Sequence, residues 1–65
     1  MEEYQERVVK EREELNEKLE KLNSFIEGKG FNDLKPEDRD LLQRQRAVMR
    51  RYVQILTKRI NRFKA

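Results

Sequence analysis

The residues in this chain with chemistry to offer are arginines and tyrosines spaced along helical periods. Arg12, Gln45 and Arg59 interrupt runs of apolar residues at positions where a helix would turn them toward a packing partner. An unpaired charge at such a position is costly, so three arrangements are open to each. It can send its head to water along a buried stem. It can pair across the fold or a subunit interface, for instance with Glu13 or Glu17. Or several can converge to hold an anion. Arginine grips phosphate through two parallel N–H donors, and tyrosine stacks on a base or bonds a ribose hydroxyl. Tyr4, Arg12, Gln45, Arg51, Tyr52 and Arg59 are therefore the candidate ligand-binding residues, and small anionic nucleotides are the ligand class they suit.

Catalysis has little to work with. The chain has no histidine and no cysteine, and Ser24 and Thr57 have no base in the sequence to activate them. Gly28-Lys29-Gly30 is too short for a phosphate-cradling loop. Glu13, Glu17 and Glu20 share a helical face that could hold a metal, but the diiron-bundle signature needs histidine, and a solvated acidic face accounts for them. The expectation is a non-enzymatic protein with no catalytic residue, no cofactor and no metal.

Polynucleotide binding is the rival use of the same arginines. Leu41 to Ala65 holds eight basic residues and no acidic one. Arg44 and Arg51 share one helical face, and Arg46 and Arg50 share another. The charge thus wraps around the helix and does not form one stripe along a phosphate backbone. A helical pair also offers no stacking sheet for bases. The geometry disfavours nucleic acid.

Two elements must position these residues. Residues 2–27 contain no glycine or proline and are rich in Glu, Lys, Leu and Arg, all good helix formers. Tyr4, Val8, Leu15, Leu19, Leu22 and Ile26 form a seam of threes and fours, broken at Arg12 and widened by Val9 and Phe25. Glu6–Lys10, Glu14–Lys18 and Glu17–Lys21 are i,i+4 pairs in the favourable order. Gly28 suits the left-handed position that ends a helix, and Gly30 frees the chain to turn. Phe31 and Leu34 straddle a turn at Asn32-Asp33 and can plug the end of the fold against Phe25, Ile26 and Leu41. Pro36 opens a second helix over 36–63, with Asp33 available as its cap. Two helices of matched length, roughly 39 and 42 Å, joined by about eight residues predict an antiparallel two-helix hairpin. The fold class is all-α, and residues 1–65 are one domain.

Matching the ends sets a register in which facing residues sum to 67, with Tyr4 opposite Phe63 and Leu15 opposite Tyr52. The second helix then offers Leu42, Gln45, Met49, Tyr52, Leu56, Arg59 and Phe63 to the first. Leu41, Val48 and Ile55, with Val53 and Ile60, form a second apolar line beside it. One helix cannot cover both lines, so the hairpin is expected to assemble with copies of itself into a helical bundle of coiled-coil type. Charge favours the hairpin too. Residues 2–27 carry nine acidic and five basic side chains, whereas residues 36–65 carry three acidic and nine basic. A chain this short needs such help, because it buries only about 60% of its unfolded surface. No apolar run is long enough for a membrane span, and the charged N-terminus has no secretory h-region. The expected setting is cytoplasmic.

The pattern YQERVVKEREELNEKLEKLNSFIE, then F-x-x-L, then LLxRQxxxMxxYxxILxxRIxRF resembles a group of small helical-hairpin phage proteins related to one from crAss-like phages. The resemblance covers Tyr4 to Phe63, and its most specific part is Gln45, Met49, Tyr52, Ile55, Leu56, Arg59, Ile60 and Phe63. It implies an infected bacterial cell as the setting and transfers no activity. In architecture the chain is also similar to phage anti-defence sponges, short helical hairpins that oligomerise and sequester nucleotide immune signals. That likeness implies a cyclic nucleotide or an ADP-ribose-type signal as ligand. The alternative is a structural or regulatory adaptor that docks a protein partner on its uncovered helical face.

Overall fold

The computed structural model describes residues 2–63 and consists of two long helices joined by a short turn. Helix α1 spans Glu3–Glu27, a 3₁₀ turn spans Lys29–Asp33, and helix α2 spans Pro36–Arg62. The helices lie against each other as an all-α hairpin, a rod with extents of 46 × 14 × 14 Å. Tyr4 and Phe63 meet edge-on, ring centroids 5.8 Å apart, so the first turn of α1 faces the end of α2 as the register requires.

Each boundary has a local cause. At the start of α1 the backbone N–H of Glu2 donates to Gln5 Oε1 at 3.0 Å, and Glu3 and Glu6 occupy the positive end of the helix dipole. The helix ends at Gly28, whose N–H donates to the Phe25 carbonyl. Gly28 is not left-handed, as its type suggests; its φ of −86° and ψ of 175° are extended. Space is what favours glycine there, because a Cβ would lie 3.2 Å from the Ser24 carbonyl oxygen. Phe31 is buried and stands edge-on to Phe25 at 6.4 Å between centroids, plugging the closed end of the rod. Leu41 does not join this plug; it is exposed. Lys35 and not Asp33 precedes α2, with no side-chain cap, and its carbonyl accepts from the N–H groups of Asp38 and Arg39. Pro36 supplies the first turn, where its missing N–H costs nothing.

The core is thin. Val8, Leu19, Phe31 and Leu56 are buried, and Leu56 is 0% exposed. Around them Leu15, Leu22 and Ile26 of α1, and Leu42, Met49, Val53 and Ile60 of α2, are half-buried. The inner seam of α2 therefore runs Leu42, Arg46, Met49, Val53, Leu56, Ile60, Phe63. It keeps four residues of the expected seam and replaces Gln45, Tyr52 and Arg59 by Arg46, Val53 and Ile60. Val53 and Ile60 are apolar and stiff, whereas turning Gln45 and Arg59 inward would bury polar groups with nothing to satisfy them.

Ion pairing is local. Among the described residues the salt bridges are Glu3–Arg7 at 2.6 Å and Asp40–Arg44 at 3.0 Å, both i,i+4 and both well exposed. The anticipated Glu–Lys pairs do not close, since an exposed lysine gains little by leaving water. Polar contacts between the helices are instead Arg12–Thr57 and Tyr52–Glu11. No helix of the described chain is long and apolar enough to cross a membrane.

Candidate ligand-binding face

Among the described residues the exposed large apolar ones are Tyr4, Phe25, Leu41, Val48, Tyr52 and Ile55. They lie on one side of the rod. In α2, Leu41, Gln45, Val48, Tyr52, Ile55, Arg59 and Arg62 follow alternating steps of four and three, which at ~100° per residue keeps them on one stripe. In α1, Tyr4, Glu11, Lys18 and Phe25 recur every seven residues and line the same side. The hydroxyl of Tyr52 donates to the Glu11 carboxylate, tying the two stripes together. That bond, with some burial and the nearby negative charge, holds the Tyr52 phenol above its ordinary pKa against the opposing pull of Arg59.

At the open end of this face Tyr4, Arg59, Arg62 and Phe63 line a concavity of about 320 Å³. The Tyr4–Phe63 aromatic pair and two arginines share its lining. Aromatic surface beside arginine forks is the chemistry that receives a base and a phosphate. The volume is at the lower end for small-ligand sites.

Of the residues singled out from sequence, Tyr4, Gln45, Tyr52 and Arg59 are brought onto this face. Gln45 and Arg59 are exposed there and do not interrupt the packing seam. The amide of Gln45 rests 3.9 Å from the Met49 sulfur. Arg51 is exposed and, one residue from Tyr52, points about 100° away round the helix. Arg12 is half-buried on the opposite side of the rod. There its Nη1 approaches Thr57 Oγ1 at 3.4 Å, and it pairs with neither Glu13 nor Glu17. With Glu13, Asn16, Val53 and Thr57 it lines a separate concavity of about 250 Å³. Four of the six candidates thus share one face, along which Tyr4 and Arg59 line the concavity, and two lie off it.

Sequence reasoning missed Glu11, Arg62 and Phe63 as members of the site. Arg62 was within reach, since it continues the Val48, Ile55 step of seven. Glu11 was also within reach, seven residues after Tyr4. Phe63 was assigned wholly to the core, yet it packs on Tyr4 at the open end and lines the concavity at once.

The model of one protein family, Sequestin, matches residues 2–62, nearly the whole chain. No curated protein matches the chain, and no solved structure does.

Proposed function

The chain belongs to the Sequestin family, and from that premise we propose that it sequesters small anionic nucleotides, holding them without turnover where copies of the hairpin meet. A family so named points to binding and retention. The observation that carries the ligand class is the concavity of Tyr4, Arg59, Arg62 and Phe63, which lies at the end of an uncovered apolar face. Self-assembly through that face encloses a site too open to hold a ligand on a single hairpin. Cyclic nucleotides and ADP-ribose-type signals fit the combination of phosphate charge, ribose and base. The setting we propose is the cytoplasm of an infected bacterial cell, with the protein acting for a phage against a nucleotide-based defence.

A thermal-shift panel of cyclic di- and trinucleotides and cyclic ADP-ribose isomers tests this directly. A ligand at a hundred times its dissociation constant stabilises by about 2.7 kcal/mol. Chromatography of the released ligand should return it unchanged, and a hydrolysed product would contradict sequestration. No stabilisation by any member of the panel would sink the reading.

The width of the apolar face supports a second reading, a structural or regulatory adaptor that docks a protein partner. Here the arginines serve solubility, and Arg59→Ala would leave partner binding intact. Nucleic-acid binding is the least supported use, and it predicts affinity for single or double strands that falls steeply with salt.

A further inference from the structure

We infer that two copies pair face to face with their turns at the same end of the rod, so that α1 of each lies on α2 of the other and the open-end concavities of both merge into one basic cleft. This rests on the sequestering reading and names the interface that would build its site.

Three observations favour a second copy in this orientation over the reverse. The first is area. A face of 46 by 14 Å has a flat footprint of roughly 640 Å², which side-chain relief brings close to the ~800 Å² per partner of a standard interface.

The second is charge. Helix α1 carries eight acidic and five basic side chains, and α2 carries three acidic and eight basic. Same-end pairing sets each acidic helix on a basic one. Reversed pairing about an axis across the rod sets α2 on α2, and packed helices about 8–10 Å apart lie close to the ~8 Å screening length of physiological salt, so their like charges still repel.

The third is what meets what. Tyr4 faces Phe63, Arg12 reaches Thr57 and Glu11 receives Tyr52, so residues whose numbers sum to about 67 share a height along the rod. Same-end pairing puts exposed Leu41 at the height of the partner copy's Phe25 and exposed Arg62 at that of its Tyr4. Apolar thus meets apolar, and a guanidinium meets an aromatic ring. Reversed pairing puts Leu41 against Arg59.

The consequence is chemical. Each copy brings Arg59 and Arg62 to the open end, where Arg7 is already neutralised by Glu3. Glu11 is engaged by Tyr52. Four arginines around one two-fold axis repel one another until an anion sits between them, so assembly and anion binding are linked. A small molecule with two phosphate charges matches a two-fold cleft of this kind.

The chain has no cysteine, so one introduced thiol reports orientation. A nitroxide on Asn32→Cys, in the exposed turn, should show an intermolecular distance far shorter than the rod by pulsed electron resonance. Lys29→Cys, at the same end, should agree. Labels separated by about the 46 Å rod length, or a monomer at the labelling concentration, would overturn the pairing. Inorganic pyrophosphate, compared with chloride at matched ionic strength, should tighten the dimer at least tenfold by sedimentation, and Arg62→Gln should abolish that gain. An unchanged gain in Arg62→Gln would overturn the shared cleft. Rod-length labels with nucleotide stabilisation intact would discard this pairing and leave sequestration standing. Same-end labels with no nucleotide stabilisation would do the reverse.

Discussion

Helix α2 carries two seams of nearly identical spacing, and only one of them is closed. The inner seam, centred on Met49, Val53 and Leu56, is covered by α1. The outer seam, centred on Val48, Tyr52 and Ile55, is left open, with Val48 65% and Ile55 56% exposed. Leu56 and Ile55 are neighbours in sequence and similar in size, yet one is fully buried and the other faces solvent. The difference is geometric: a two-helix hairpin has one contact stripe per helix and cannot cover a second. The inner seam therefore serves the fold, whereas the outer one has apolar surface and arginines available for something else.

The contrast is broken most forcefully at the core. Leu56→Ala should cost about 3 kcal/mol, in the range for a fully buried leucine, and chemical denaturation read by circular dichroism should show a hairpin close to unfolding. Ile55→Ala, one residue along, should cost the isolated hairpin less than about 1 kcal/mol and weaken self-association instead. Equal losses of stability from the two would erase the distinction between seams. Next in size, Val48→Glu should leave helix content intact while sedimentation shows the assembly dissociated, because a carboxylate at the centre of the outer seam would be buried unpaired. Arg59→Ala should then keep both fold and assembly and lose the roughly 2.7 kcal/mol that a nucleotide confers at a hundred times its dissociation constant. Retention of that stabilisation would move the site elsewhere.

The hairpin and its register were legible because glycines, proline and the matched lengths leave few alternatives, and the Tyr4–Phe63 pair lies where the constant sum places it. The facing side of α2 was harder to read. Leu42, Met49, Leu56 and Phe63 belong to the inner stripe in either case. The line beside them can be Gln45, Tyr52 and Arg59 or Arg46, Val53 and Ile60, and each choice includes an arginine. Spacing alone does not separate the two, because both obey the heptad. Stiff apolar Val53 and Ile60 decide it, and the half-buried charge at Arg46 is the cost. The candidate site was legible in residue type and only partly in place. Four of its six members share a face: Gln45, Tyr52 and Arg59 fall on the outer line of α2, and Tyr4 lines the same side from α1. Arg12, which does interrupt the seam of α1, turns to the other side of the rod.

Tyr52 sharpens the comparison on a smaller scale, since it is the outer residue that α1 does hold, through Glu11. Its phenol is raised above the ordinary tyrosine range by accepting the role of donor to that carboxylate. A raised value means the folded state favours the protonated phenol. The bond's contribution is therefore complete below the unfolded value of about 10 and is lost as pH rises through the folded one. Ultraviolet difference titration should place the Tyr52 midpoint above that of an unfolded tyrosine, and Glu11→Gln should lower it. An unmoved midpoint in Glu11→Gln would mean that the bond is absent in solution.

The smallest effect is expected on the polar side of the rod. Thr57 already donates its hydroxyl to the Val53 carbonyl at 2.9 Å, and Arg12 Nη1 donates to the Thr57 hydroxyl oxygen only at 3.4 Å. Thr57→Val removes both bonds at little cost: the Val53 carbonyl keeps its helical N–H partner, and the Arg12 head can turn to water along its apolar stem. Stability should change by no more than about 0.5 kcal/mol. Nucleotide stabilisation should not change at all, because this concavity and the one around Arg59 open on opposite sides. Arg12→Lys offers the stricter form of the test, as it keeps the charge and removes the planar fork that a phosphate would need. If Arg12→Lys abolished nucleotide binding while Arg59→Ala spared it, the functional side of the hairpin would be the polar one, and the open seam would be left to assembly alone.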